Sequence, residues 1–182
     1  MRLSWFSKTL AVALSSLLAL VGLSYVSPAK ALDGSKFDPG LIISDSVFFD
    51  FGTMTVDDIQ RFLDSQVPVC KSKPTGMPCL KDYKADTPEK TADPGKCAYM
   101  PAKSKISAAQ MIYDISRACG INPRVLLVTL QKEQGLVQAT IPSPYMYRAA
   151  MGYGCPDSDP GICGKVWVGL FNQVYKAAGR SE

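Results

Sequence analysis

Apolar residues recur at helical spacing over four stretches of the chain. Around residues 55–65, Ile59, Phe62 and Leu63 form a stripe behind Thr55, with Asp57 and Asp58 in the first turn. A Thr N-cap followed by acids marks a helix start, so this is a short amphipathic helix. Residues 107–118 carry Ala108, Met111, Ile112 and Ile115 on one face behind the N-cap residue Ser107. After a break at Gly120, Asn122 is an N-cap, Pro123 suits the first helical position, and Gly135 supplies a stop. At about 100° per residue, Leu126, Thr129, Leu130 and Glu133 fall in one narrow arc. Val125 and Leu127 flank that arc, and Val128 makes even the far side partly apolar. The pattern therefore predicts a buried helix, joined to the preceding one as an αα-hairpin. Residues 165–178 return to helix, with Val166, Leu170, Val174 and Ala177 or Ala178 as the buried stripe. The fold class is mainly α.

Between these helices the pattern is irregular. Residues 32–47 are turn-rich, with Asp38-Pro39-Gly40 leading into Ile42 and Ile43, and Phe48, Phe49 and Phe51 pack this segment onto something larger. Residues 70–105 are rich in Pro, Lys and Asp, and residues 84–90 read as an exposed loop with little core potential. Such a long connection needs restraint, which disulfides would supply. Residues 142–163 hold many turn residues and three tyrosines, Tyr145, Tyr147 and Tyr153. No repeat or low-complexity tract is present.

The N-terminus is not part of this pattern. Arg2 and Lys8 precede a run of mostly Leu, Ala, Val and Ser at 9–26, and Ala29-Lys30-Ala31 is a small-x-small cleavage site. Residues 1–31 read as a secretory signal peptide, with the mature protein starting near Leu32. The run is also just long enough to span a bilayer as an uncleaved anchor, but the cleavage site favours removal and no stable membrane insertion afterwards. The leader takes three of the 20 basic residues and none of the 16 acidic ones. What remains is close to neutral, which gives no support for nucleic-acid partners or anionic surfaces.

All six cysteines, Cys70, Cys79, Cys97, Cys119, Cys155 and Cys163, follow the leader. An even number in an oxidising compartment implies disulfides, and fifteen connectivities are open. The simplest pairs Cys70 with Cys79 and Cys155 with Cys163 as local loops, leaving Cys97 with Cys119. With no CxxC pair, no metal site is expected, and nothing calls for a cofactor. The expected location is secreted or cell-wall associated. Nothing in the pattern sets an oligomeric state.

The chain has no histidine. Ser-His-Asp and Cys-His nucleophiles are excluded, as are zinc sites that depend on imidazole. The carboxylate that stands out is Glu133, in the last turn of a helix and on its apolar stripe. Desolvation and the negative end of the helix dipole would both raise its pKa, as a general acid requires. The alternatives are an ion pair with Arg or Lys, or escape to solvent at the helix end. Asp157 and Asp159 are candidate second acids for a hydrolytic route, though a disulfide-closed turn with solvated acids fits them better. The Asp-Ser-Asp-Pro-Gly run lacks a downstream ligand at calcium-loop spacing.

Ile121-Asn122-Pro123 at the start of a helix and Glu133-Gln134-Gly135 at its end resemble the active-site helix of lysozyme-like lytic transglycosylases. Ala150-Met151-Gly152-Tyr153-Gly154 is similar to the Gly-containing stretch that follows in that superfamily. Ile42-Ile43-Ser44-Asp45, Met54-Thr55 and Ile59-Gln60 resemble a module that precedes lysozyme-like domains in exported Gram-positive proteins, some of them haemagglutinin-like. The resemblance implies a lysozyme-like helical core at 105–182 behind a disulfide-bearing extension at 32–104. It implies that Glu133 protonates the glycosidic oxygen of peptidoglycan strands. Met151, Gly152, Tyr153, Gly154 and Tyr147 would then line the sugar groove.

Three departures qualify the resemblance. Gln134 replaces the usual Ser, and Tyr153-Gly154-Cys155 replaces Leu-Met-Gln, so a groove-lining amide is missing. The chain also ends soon after its last helix, where the family often continues with helices bearing a tyrosine, so the core is open to being C-terminally truncated. Tyr147, Tyr153 or Tyr175 would have to substitute. These departures keep a second reading in view, a non-catalytic wall-binding or adhesin-like protein. A third is a disulfide-bonded structural protein without a glycan ligand.

Overall fold

The computed structural model describes residues 34–36, 38–156 and 163–179. The leader expected at 1–31 and the acids Asp157 and Asp159 lie outside them. The chain divides into two compact units, residues 1–42 and 43–182. In the first, Gly34–Lys36 forms a 3-10 turn, and Asp38 closes a tight turn by accepting Gly40 N at 2.8 Å.

Among its described residues the second unit contains six α-helices and two short strands: α1 (Asp45–Phe48), α2 (Val56–Gln66), β1 (Lys84–Thr87), β2 (Lys103–Ser107), α3 (Ala108–Cys119), α4 (Pro123–Gln134), α5 (Pro144–Arg148) and α6 (Leu170–Ala178). It is mainly helical, as expected. Helix α3 is central and packs against α2, α4 and α6. Its Met111, Ile112 and Ile115 are fully buried among Ile59 and Leu63 of α2, Leu130 of α4, and Leu170 and Val174 of α6. Each such side chain contributes about 1.5–3 kcal/mol, so this cluster carries the fold. Leu80, Cys97 and Met100 belong to the same cluster, so the segment before α3 shares the core rather than forming one of its own.

The helix ends follow local chemistry. Thr55 and Asp58 cap α2 reciprocally, and Ser107 accepts Gln110 N to cap α3. Gly120 and Gly135 take left-handed conformations that end α3 and α4. Asn122 does more than cap. Its Oδ1 accepts Arg124 N at 3.0 Å and the Thr53 hydroxyl at 2.9 Å, and its Nδ2 donates to Val47 O at 2.9 Å. One buried amide thus starts α4 and ties down the segment after α1. Asn122→Ala is expected to cost about 2–4 kcal/mol, since a cap and two further part-buried hydrogen bonds are lost together. Urea unfolding checks this, and a loss below about 1 kcal/mol would contradict it.

Three expectations need correction. Residues 84–87 are not loop: β1 and β2 pair antiparallel, with Lys84 opposite Ser107 and Ala85 opposite Ile106. Bridges between Lys90 and Met100 and between Asp93 and Cys97 extend the hairpin. Only the small residues Ala85 and Thr87 face inward on β1, so its alternation is faint in sequence. Helix α6 starts at Leu170 rather than near Lys165, because Gly169 has φ +93, which no α-helix tolerates, and Val166 is exposed. Helix α4 is buried on one side only. Its buried residues are Pro123, Leu126, Leu127 and Leu130, while Val128 is 66% exposed. Ser143 and Pro144 also open a short helix, α5, inside the turn-rich stretch.

The disulfides are Cys70–Cys79, Cys97–Cys119 and Cys155–Cys163, the simplest pairing. The second fastens the far end of the hairpin to the end of α3, where Ala98 N also donates to Ala118 O at 2.7 Å. Three disulfides fit a protein of an oxidising, extracytoplasmic compartment. Among the described residues no helix is long and apolar enough to cross a membrane.

Candidate functional site

The rotation of α4 decides where Glu133 stands. With Leu126, Leu127 and Leu130 inward, Glu133 lies about 60° from Leu130, on the side away from Leu127. It is therefore at the edge of the buried face, not on its centre line, and its side chain is 34% exposed. The sequence pattern had placed it on the buried stripe. The pattern gives which residues share an arc, but not which half of that arc the neighbouring helices cover. Lys132 Nζ lies 3.5 Å from Glu133 Oε1, though the lysine is 79% exposed.

The other carboxylate oxygen faces the turn at 151–153. A Cβ on Gly152 would stand 3.3 Å from Glu133 Oε2, and Gly152 has φ +69. Both facts select glycine: the conformation strains any residue with a Cβ, and the space belongs to the carboxylate. Two segments nineteen positions apart in sequence, each singled out for its resemblance, thus meet at one carboxylate.

What holds this turn is a residue the sequence reading passed over. Gln173 on α6 is fully buried, and its side-chain amide makes five hydrogen bonds to the turn and its surroundings, the longest from Nε2 to Cys155 Sγ at 3.9 Å. Its Oε1 accepts Met151 N at 3.1 Å and Tyr153 N at 3.0 Å. Its Nε2 donates to Tyr153 O at 2.7 Å and Trp167 O at 2.9 Å. An amide has two donor and two acceptor positions, and here all four are used. The only sequence signal was a lone Gln three residues after Leu170, on an apolar stripe.

The remaining expected residues separate. Tyr153 is half-buried and meets Trp167 edge to face, with centroids 5.4 Å apart. Trp167 in turn fills the space beside Gly154: a Cβ there, or on Gly164, would stand 2.5 Å from Trp167 Cδ1. Gly154 is thus required by an internal aromatic contact, which the expectation of a free approach for glycan did not foresee. Met151 is buried, and its backbone N–H donates to Gln173 Oε1. Tyr147 is not in the groove. It is 3% exposed, stacks on Tyr83 with centroids 4.4 Å apart, and donates its hydroxyl to Pro78 O at 2.6 Å. Burial pushes its phenol well above the usual tyrosine range, with the neighbouring Tyr83 adding to this. It is a core residue, and its role as a groove residue is withdrawn.

Chemically, the arrangement offers one solvent-reachable carboxylate against a rigid backbone turn, with an aromatic pair beyond it. Such a carboxylate can accept or donate a single proton at a ligand oxygen lying over Gly152. Among the described residues, no three His, Cys, Asp or Glu side chains gather as a metal site. Compared with protein-family models, curated proteins and solved structures, the chain has no significant match.

Proposed function

We propose that this protein cleaves peptidoglycan glycan strands as a lytic-transglycosylase-like enzyme with Glu133 as its single acid–base residue. The observation that supports this is the approach of Gly152 to Glu133 Oε2, where a Cβ would stand at 3.3 Å and crowd the carboxylate. In this reading the Glu133 carboxyl gives its proton to the oxygen of the MurNAc–GlcNAc β-1,4 bond as the C1–O bond breaks. The carboxylate so formed then takes the proton of the same sugar's 6-hydroxyl while that oxygen bonds to C1. The product is a 1,6-anhydro sugar, no water is consumed, and Glu133 is returned protonated. One carboxylate suffices, whereas hydrolysis would call on a second acid.

A second reading is favoured by the 34% exposure of the Glu133 side chain. The free protein does not enclose its carboxylate in the apolar surroundings that acid catalysis exploits. The same surface would then bind wall glycan without cleaving it.

Digestion of purified peptidoglycan by the oxidised chain, read by mass spectrometry, separates the two. Anhydro-muropeptides are expected from a transglycosylase. Hydrated reducing ends would replace that chemistry with hydrolysis and direct attention to Asp157 and Asp159. No released product, with the folded protein sedimenting on the walls, would leave the binding reading.

A further inference from the structure

The face of α4 turned away from Glu133 carries a groove that the proposed chemistry leaves unused. It runs between α2 and α4, has a volume of about 290 Å³, and is lined by the apolar side chains of Met54, Phe62, Leu127, Val128 and Val137. One end is polar but satisfied. Gln131 Nε2 donates to Gln138 Oε1 at 3.1 Å, and Gln138 Nε2 donates to Gln66 Oε1 at 3.0 Å. Two turns of α4 away, about 10 Å, stands Arg124. Among the described residues no carboxylate lies within ion-pair distance of its guanidinium. An apolar slot with an unpaired guanidinium selects an apolar ligand that brings its own anion.

The chain itself presents such a ligand. Leu41, Ile42, Ile43, Val47 and Phe49 are 62%, 81%, 40%, 50% and 45% exposed, so five large apolar side chains meet solvent within nine residues. Scattered exposed apolar residues need no explanation, but a run of this density marks a contact surface. Asp38 and Asp50 bracket this ridge and Asp45 lies within it, none with a cation in ion-pair distance among the described residues. The sequence has no Lys or Arg between Lys36 and Arg61. The groove thus offers a cation without an acid, and the ridge offers acids without a cation. That sign argues against a bilayer as the occupant, because anionic headgroups draw basic segments. Asn122 sets the base of the ridge beside the groove. Its backbone N donates to Phe48 O at 2.8 Å and its Nδ2 to Val47 O at 2.9 Å, two residues before Arg124. A two-fold pairing needs this layout, since each copy then offers both complementary halves to the other.

We propose that the occupant of this groove is a second copy of the chain. The ridge at 41–49 of each copy lies in the α2–α4 groove of the other, its acids facing the partner's Arg124. The pairing uses no part of the Glu133 site and holds whether or not that site cleaves glycan.

Sedimentation of the oxidised mature chain tests this. A dimer is expected that dissociates on dilution through the micromolar range, as a small interface does. Ile42→Asp and Val128→Asp each set a carboxylate against an apolar surface, and each is expected to weaken the dimer on the order of 100-fold. Both side chains are exposed, so unfolding midpoints should scarcely move. Arg124→Glu sets like charges together and is expected to weaken the dimer about tenfold. A mixture of variants decides the arrangement. The Ile42→Asp chain keeps its groove and the Val128→Asp chain keeps its ridge, so together they should form a mixed dimer where each alone is monomeric. A monomer at every concentration would overturn the proposal, and binding of that monomer to phosphatidylcholine–phosphatidylglycerol vesicles would give the ridge to a membrane instead. Growth past two copies, or a mixture no more associated than its components, would overturn the reciprocal exchange. Indifference to Arg124→Glu would overturn the charge pairing on which the choice of partner rests.

Discussion

On the mechanism proposed above, replacing Glu133 by glutamine is expected to cut the release of anhydro-muropeptides by on the order of 10³-fold while leaving the fold intact. The two parts follow from different magnitudes. Glu133 is 34% exposed, and its ion-pair contact is with the largely exposed Lys132 at 3.5 Å. An exposed pair of this kind contributes about 0–1 kcal/mol, so the unfolding midpoint should scarcely move. Chemistry is another matter. Glutamine keeps the shape of the side chain and its packing against Gly152, but it cannot give a proton to the leaving oxygen or take one from the 6-hydroxyl. Loss of general acid–base catalysis typically costs on the order of 10²–10⁴ in rate, and here one group serves both steps. A fall on the order of 10³-fold, about 4 kcal/mol in barrier, is expected. Digestion of labelled peptidoglycan with wild-type and variant protein, beside their urea unfolding curves, measures both. Equal activity would remove Glu133 from the chemistry, and a large loss of stability would make it a structural residue instead.

Why Glu133 could be found in sequence, and Gln173 could not, comes down to the range of the interactions involved. Asn122, Pro123 and Gly135 act on backbone within a few residues of themselves, so the limits of α4 were legible. Thr55 and Ser107 reveal α2 and α3 for the same reason. The disulfides join near neighbours in sequence, and the shortest-loop pairing anticipates them. The mainly helical class follows from these pieces, whereas the finer lysozyme-like architecture rests on resemblance alone.

What stayed hidden depends on distant partners. β1 exists because β2, some twenty residues on, offers it hydrogen bonds, and its own sequence of Lys, Ala, Asp and Thr announces nothing. The facing of α4 is set by which neighbours bury Leu127, so Glu133 moved to an edge and Val128 came to the surface. Tyr147 lies in a turn-rich segment that reads as surface, yet Tyr83 and the Pro78 carbonyl draw it inside.

Gln173→Leu is the expected opposite of the Glu133 replacement, a change that touches no ligand yet damages both the fold and the site. Leucine fits the volume and the apolar stripe of α6, so packing is nearly conserved. What disappears is the partner of two backbone N–H groups, on Met151 and Tyr153, and of two carbonyls, on Tyr153 and Trp167. A buried polar group left without a partner costs about 1–3 kcal/mol. The losses are not additive because the turn can open to water, so a total of about 3–5 kcal/mol is expected. Against a total stability of about 5–15 kcal/mol, that is a large share. The location of the damage is as informative as its size. Amide hydrogen exchange should show Met151 and Tyr153 losing protection, while the α3 amides lose only what the global change imposes. Gln173→Glu keeps two acceptors for those amides but sets a charge against the Tyr153 and Trp167 carbonyls, so it should rescue little. If Gln173→Leu lost less than about 1 kcal/mol and both amides stayed protected, the turn would be holding itself. Gly152 would then owe its place beside Glu133 to the glycine conformation alone, and α6 would drop out of the account of the site.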